Sequence, residues 1–309
     1  MDNVYQSESY VKSRCLQREQ NLAALMHDLL DSLGYVQVDE TRKRWQRKDK
    51  LAIVCFSDDF NTCGADFSKP PSQWFQKNTV VITDNAINCK TDYTVLKVPD
   101  SYWGIFSYVP EIQEFTPQRD LHLSINRGDL QRRLILNEFV KARGISDADF
   151  LNYNAVFTND EPIFNRPVSF EQACASSWLN LVVETYAGDT TITFSEKTFR
   201  TLLTPAPWLL FACRNTVEYL RQLGFDVLDD VVDHSYDPQF QSGHNGIEKI
   251  SNWIRHAVGI LPLIKKCNNL GQRCIEAAQH NQRQLAQWKQ QWPIDFTPWL
   301  DSTVRILNS

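Results

Sequence analysis

The stretch 181–237 constrains the fold most, because apolar runs and helical patterns alternate along it. Residues 181–184 and 208–213 are short apolar runs bounded by turn signals, a pattern typical of strands buried on both faces of a sheet. Ser195 is a good N-cap for the apolar helical pattern that follows it. The order strand, loop, helix, strand, helix, strand predicts a parallel α/β layer.

Glu196 and Lys197 fall in the first turn of the helix predicted after Ser195. The start of a helix that follows a buried strand is where many α/β proteins bind phosphates. An acid at this place can accept hydrogen bonds from ribose hydroxyls, and a lysine can neutralise a diphosphate. The structural alternative is that the acid complements the helix dipole while the lysine beside it is solvated.

The rest of the chain predicts two α/β domains, 1–157 and 168–309, joined by a linker with two prolines at 157–167. An amphipathic helix at 16–33 and short apolar strands, among them 51–56, 79–83 and 94–98, form the first domain, and a helix at 170–178 is expected near the start of the second. After residue 237 the pattern becomes helical. The helices expected in this C-terminal tail are 247–261 and 263–288, broken at Pro262, and 296–307.

Charge and cysteine spacing argue against several classes of protein. The chain has 309 residues and a net charge of −5, whereas nucleic-acid binders usually carry a basic excess. A basic run at 41–50 indicates either an anion-facing turn or a solvated hairpin. The acids that flank the run favour the solvated hairpin. The eight cysteines form no CxxC pair, and no histidine lies at ligand spacing, so we expect no metal site and reduced thiols.

The sequence also predicts a cytoplasmic location. The first residues are polar, and no apolar run approaches the length that spans a membrane. A Gly-rich dinucleotide fingerprint, a P-loop, GxSxG and HExxH are all missing from the sequence, which argues against the enzyme classes that use them.

Charged residues after two N-terminal strands are further candidates for a site. Asp58 and Asp59 follow an apolar strand and are candidates for a catalytic base, with a turn or a helix cap as the alternative. Arg127 ends another predicted strand, where a guanidinium can clamp a diphosphate through two hydrogen bonds. Arg132 and Arg133 lie on the following helix, and their alternative role is that of solvated surface residues.

The C-terminal half resembles the nucleotide-sugar half of two-domain, GT-B-type glycosyltransferases. It is similar to the acid-then-Thr-Glu-Lys segment of the fucosyltransferases. It looks closer still to a group of often phage-encoded proteins with a Glu-Thr strand and a Glu-Lys-Thr helix start. The matching residues are Glu184-Thr185, Glu196-Lys197-Thr198, Pro207, Leu223-Gly224-Phe225 and Tyr236-Asp237. Ser195 stands where threonine is commoner, and His234 stands where an acid is expected.

The resemblance implies a fold of two Rossmann-like domains in a GT-B-like arrangement, with a helical tail that crosses back to the first domain. It implies metal-independent transfer of a sugar from a nucleotide-sugar donor, with no cofactor besides this co-substrate. Glu196 would hold the ribose, while Lys197 and Arg127 would stabilise the leaving phosphates. The other substrate-binding candidates are Arg132, Arg133, Glu184, Ser195, Thr198, Tyr236 and Asp237.

Several alternatives stay open at this point. The acceptor would enter the N-terminal domain near Asp58 or Asp59, and modified phage DNA, a protein or a small glycan would each fit. The chain could instead be a non-catalytic nucleotide or nucleotide-sugar binding protein of the same fold. It could also be a partner-binding protein that uses the helical tail.

Overall fold

Two larger sheets and the helices that accompany them make the chain a mixed α/β protein, as the sequence predicts. The chain divides into unit 1, Met1–Tyr108, Thr190–Thr193 and Leu285–Ser309, and unit 2, Val109–Asp189 and Phe194–Gln284. The domain division at 157–168 stays a prediction. The computed structural model describes residues 26–39, 44–47, 50–55, 79–83, 86–87, 94–98, 109–124, 134–135, 150–152, 157–158, 161–162, 170–184, 191–192, 194, 196–237 and 246–308.

Unit 1 contains a five-stranded sheet in the order β1-β2-β3-β4-β6. The pairs β1–β2 and β2–β3 are antiparallel, whereas β3–β4 and β4–β6 are parallel. The short strand β5 pairs antiparallel with β12. The strands are β1 Val36–Asp39, β2 Arg44–Arg47, β3 Lys50–Cys55, β4 Thr79–Thr83, β5 Ala86–Ile87, β6 Thr94–Lys97 and β12 Thr191–Ile192.

The basic run of the sequence forms part of the β2–β3 hairpin, and Arg47 has a structural role there. Its Nη1 donates a hydrogen bond of 2.6 Å to the carbonyl of Leu33, just after the helical residues 26–32, which we label α1. Its guanidinium also lies over the ring of Tyr35, with 5.2 Å between Cζ and the ring centroid. The Tyr35 hydroxyl donates to the carbonyl of Leu307 at 3.0 Å, so this corner of unit 1 includes the end of the chain.

Unit 2 is built on a four-stranded parallel sheet in the order β13-β11-β7-β8. Apart from the partly exposed Trp178, the apolar side chains of the two central strands are buried, which is expected for a parallel sheet covered on both faces. A separate pair, β9 and β10, is antiparallel. The strands are β7 Arg119–Ser124, β8 Phe150–Asn152, β9 Phe157–Thr158, β10 Glu161–Pro162, β11 Ser177–Val183 and β13 Trp208–Phe211.

In the part of the chain that the structure describes, five longer helices lie between or after the strands of unit 2, and residues 134–135 are also helical. The last of them contributes its residues up to Gln284 to unit 2 and the remainder to unit 1. The helices are α2 Phe170–Ala175, α3 Glu196–Leu202, α4 Thr216–Gln222, α5 Gly246–Ile264 and α6 Leu270–Asn308.

The prediction of a strand after α4 is wrong, because residues 225–237 form turns and irregular backbone. Side chains in this segment accept hydrogen bonds from nearby backbone N–H groups, so these groups do not pair with another strand. Asp226 Oδ1 accepts from Leu228 N at 3.0 Å, and Asp233 Oδ1 accepts from Ser235 N at 2.8 Å. Leu228 has a positive φ of 62°, which interrupts an extended path.

Three helix boundaries also differ from expectation. The helix predicted at 170–178 ends at Ala175, and β11 begins two residues later, at Ser177. The hydroxyls of Ser176 and Ser177 both donate to the carbonyl of Ala173, which competes with continuation of the helix. Pro262 lies inside α5, which continues to Ile264. The segment predicted as a separate helix at 296–307 is the end of α6.

Asn281 of α6 gives a test of how unit 2 is held together. Its amide nitrogen donates to the carbonyls of Leu202 and Asp226 at 2.9 and 3.0 Å, and its amide oxygen accepts from Asp226 N at 2.8 Å. The side chain is 1% exposed. We expect Asn281→Ala to lower the free energy of unfolding by about 2–4 kcal/mol, because three backbone groups lose their partner.

The measurement is chemical denaturation followed by tryptophan fluorescence. Gln279→Ala, at an exposed position of the same helix, is the control, and we expect a change below about 0.5 kcal/mol. Equal effects of the two substitutions would show that the Asn281 hydrogen bonds do not stabilise unit 2.

Candidate functional site

The order of strands in unit 2 places a switch point between β7 and β11. From β7 the chain proceeds to β8 on one side, and it then returns to the other side of β7 for β11 and β13. In open parallel sheets, ligands bind outside the carboxyl ends of the strands at such a point. Glu184 directly follows β11 and therefore lies at this edge of the sheet.

Glu184 is held in place by both its backbone and its side chain. Its N–H donates to the carbonyl of Phe211, the last residue of β13, at 3.0 Å. Its carboxylate accepts a short hydrogen bond from the hydroxyl of Thr198 in the first turn of α3. The exposed fractions of Glu184 and Thr198 are 1% and 2%, so a buried carboxylate connects the end of β11 with α3.

Lys197 precedes Thr198 in the same turn and is 3% exposed. It is therefore not the solvated surface lysine that the structural alternative assumes. Burying an ammonium group is unfavourable unless hydrogen bonds or opposite charges compensate it. A buried carboxylate directly after β11 and a buried cation in the first turn of α3 thus occur on elements that the Glu184–Thr198 hydrogen bond connects.

Other candidates lie outside what the structure describes. Ser195 is not described, and for Glu196 only its place in α3 is. The remaining candidates outside the described residues are Asp58, Asp59, Arg127, Arg132 and Arg133. The proposed roles of all seven residues stay predictions.

Tyr236 and Asp237 have structural contacts in unit 2. The hydroxyl of Tyr236 accepts a hydrogen bond from Leu210 N in β13 at 2.8 Å. Asp237 Oδ2 accepts from Val217 N and Glu218 N at 3.1 and 3.3 Å, so it caps the first turn of α4. Their expected roles in substrate binding stay predictions, and these contacts orient both side chains toward the protein.

The electrostatics of Asp237 follow from its burial. Burial raises the pKa of its carboxyl to about 6, against the lowering effect of the backbone N–H groups at the start of α4. Asn215, the N-cap residue of α4, has a φ of 63° and makes no side-chain capping bond. Asp237 thus provides the cap that Asn215 leaves open.

A second buried polar cluster was not anticipated from the sequence. His122 in β7 donates from Nδ1 to Asn180 Oδ1 in β11 at 2.9 Å, and Cys174 Sγ lies 3.6 Å from the same nitrogen. Burial lowers the pKa of His122 to about 4 and raises that of the Cys174 thiol well above its usual value. A neutral imidazole beside a protonated thiol does not form a nucleophilic pair, so this cluster is structural.

No protein-family model matches the chain, and no curated protein matches it significantly. Within the described ranges, no cluster of three or more His, Cys, Asp or Glu residues is arranged to hold a metal ion. The helices in the described part of the chain include none that is both long and apolar enough to cross a membrane.

Asp237 gives a prediction about pH. Its pKa is about 6 in the folded protein and near 3.8 when unfolded, so the folded form binds more protons between these values. Stability contributed by this group is therefore present below about pH 4 and is lost as the pH rises through 6. Asn caps helices as well as Asp does but carries no charge, so Asp237→Asn avoids this loss.

We expect the difference in free energy of unfolding, variant minus wild type, to rise by roughly 2 kcal/mol between pH 4 and pH 7. Denaturation of both proteins across this range measures it, and the titrating histidines cancel in the difference. Asp301→Asn, at an exposed position of α6, is the control for the removal of one carboxylate. A difference for Asp237→Asn that does not change with pH would contradict the raised pKa.

Proposed function

We propose that the chain is a glycosyltransferase that moves a sugar from a nucleotide-sugar donor to an acceptor hydroxyl. The observation that carries this proposal is the group at the switch point of unit 2, where Glu184 binds Thr198 and the buried Lys197 lies next to it. These are residues of the Glu-Thr and Glu-Lys-Thr segments that resemble the donor half of GT-B enzymes.

Sugar transfer requires positive charge at the leaving diphosphate. The acceptor oxygen forms a bond to the anomeric carbon, the bond from that carbon to the diphosphate oxygen breaks, and a base takes the acceptor proton. In this proposal Lys197 and Arg127 stabilise the charge that develops on the diphosphate, and the transfer needs no metal ion. Arg127 is three residues beyond the end of β7, which is the neighbour of β11.

The remaining roles follow the same resemblance. Glu196 holds the ribose, and Asp58 or Asp59, three and four residues beyond β3, takes the acceptor proton. Parallel strands in both units support a pair of Rossmann-like domains. The inclusion of residues 285–309 in unit 1 supports a GT-B-like architecture, in which the final helix returns to the first domain.

Lys197→Met tests the donor site, because methionine keeps the apolar stem of the side chain and removes its charge. We expect the dissociation constants for UDP- and GDP-sugars to rise by about tenfold or more, as one charge-assisted contact to phosphate is lost. Isothermal titration calorimetry measures them, and the midpoint of thermal unfolding checks the fold. Lys266→Met, at an exposed position of unit 2, should leave binding unchanged.

If the Lys197→Met variant binds UDP- and GDP-sugars with the dissociation constants of the wild type, Lys197 is not part of the donor site. A wild-type protein that binds neither class of nucleotide sugar would contradict the proposal as a whole. Release of free sugar and nucleoside diphosphate during incubation with the donor separates an enzyme from a non-catalytic binding protein. Transfer of labelled sugar to DNA, protein or a small glycan then identifies the acceptor.

A further inference from the structure

Lys249, close to the start of α5, places a second ammonium group at the carboxyl edge of the sheet in unit 2. Its Nζ donates a hydrogen bond of 3.1 Å to the carbonyl of Ala212. Ala212 directly follows Phe211, the last residue of β13, so this contact lies just beyond the carboxyl end of the strand. The residues that carry the resemblance to GT-B enzymes end at Asp237, so the sequence did not identify Lys249 as a candidate.

The packing of α5 fixes the position of Lys249. The helix packs against β11. Trp253, one turn after Lys249, is fully buried, and its ring meets that of Phe211 at a centroid distance of 5.3 Å. The Lys249 ammonium lies over the same ring, with 5.1 Å between Nζ and the ring centroid, which is within range of a cation–π interaction. The lysine is thus held at the end of β13 by its own contacts and by those of the next helical turn.

The end of β13 also holds the backbone of Glu184. The N–H of Glu184 donates to the last carbonyl of β13 at 3.0 Å, and the next carbonyl along the chain accepts from Lys249. The Glu184 carboxylate accepts from Thr198, the residue after Lys197. Two lysines from different helices, α3 and α5, therefore lie near the ends of the neighbouring parallel strands β11 and β13. Ligands of open parallel sheets bind at this edge.

The two lysines differ in their accessibility. Lys197 is 3% exposed, whereas Lys249 is partly exposed. Phosphate oxygens bind ammonium groups through direct, charge-assisted hydrogen bonds, which require that the ligand can reach the side chain. Lys249 offers the more accessible surface for such contacts.

We propose that Lys249 binds the diphosphate of the nucleotide-sugar donor together with Lys197. This role rests on the proposed function, since a donor of that class brings a diphosphate to this edge of the sheet. A nucleoside diphosphate carries more than one negative charge, so a single ammonium group neutralises it only in part. Negative charge grows on the leaving oxygen as its bond to the anomeric carbon breaks, and a second ammonium group stabilises that charge.

The test is calorimetric titration of the full chain with UDP and with GDP at low ionic strength. We expect Lys249→Met to raise the dissociation constant by about tenfold or more, because one charge-assisted contact to phosphate is lost. Lys249→Arg keeps the positive charge and should stay within about threefold of the wild type. Lys266→Met, at an exposed position of unit 2, is the matched control and should bind like the wild type.

Salt separates a phosphate contact from a purely structural role of Lys249. Screening weakens the attraction between charges, so the difference in affinity between the wild type and Lys249→Met should shrink in about 1 M NaCl. Loss of the hydrogen bond to Ala212 alone would weaken binding equally at both salt concentrations. That result would overturn the proposed role, and so would an equal loss of affinity in Lys249→Arg and Lys249→Met.

The wild-type titration tests the proposed function separately. If the wild type binds UDP or GDP and Lys249→Met binds equally well, the donor site stands and the role of Lys249 is overturned. If the wild type binds neither nucleotide, the donor site itself is contradicted, and the role of Lys249 is overturned with it.

Discussion

The hydrogen bonds of Asn180 are the interaction on which the architecture of unit 2 depends. Its amide oxygen accepts from His122 in β7, while its amide nitrogen donates to the carbonyls of Cys174 and Pro207 at 3.2 and 3.0 Å. One fully buried side chain thus connects β7, β11, the helix before β11 and the residue that leads into β13. A satisfied polar group of this kind specifies one register, since a shifted strand would leave several buried groups unpaired. Glu184 lies four residues farther along, so its place at the carboxyl edge of the sheet follows from this register.

Much of the framework could be predicted from the sequence, because apolar periodicity reports burial. The strand at Thr79–Thr83 is found with the predicted bounds, and the other main strands differ by a few residues at their ends. Helix α3 begins directly after Ser195, as its capping pattern indicates. The errors occur where side chains replace backbone partners, as at Ser176 and Ser177, and such local competition leaves no periodic signal.

The candidate site was predictable only in part. The sequence identified Glu184, Lys197 and Thr198, and the structure shows all three buried at the switch point. Burial of Lys197 could not be read from its neighbours, because a first-turn lysine is compatible with a solvated or a buried position. A cavity of about 350 Å³ with an acidic lining, which includes Glu218, Asp229, Asp233 and Asp237, was missed for a different reason. Its residues belong to α4 and to a segment expected to be a strand, so only the turns of the real chain bring them together.

The contact between the Tyr236 hydroxyl and Leu210 N has a consequence for how unit 2 behaves at high concentration. Strand β13 is outermost in the described sheet, and outer strands offer main-chain donors to which another polypeptide can add. The Tyr236 hydroxyl occupies one of these donors, the N–H of Leu210 in the middle of the strand. The sheet is therefore a poor template for intermolecular β-pairing on that side, which protects a strand as apolar as Trp-Leu-Leu-Phe from self-association.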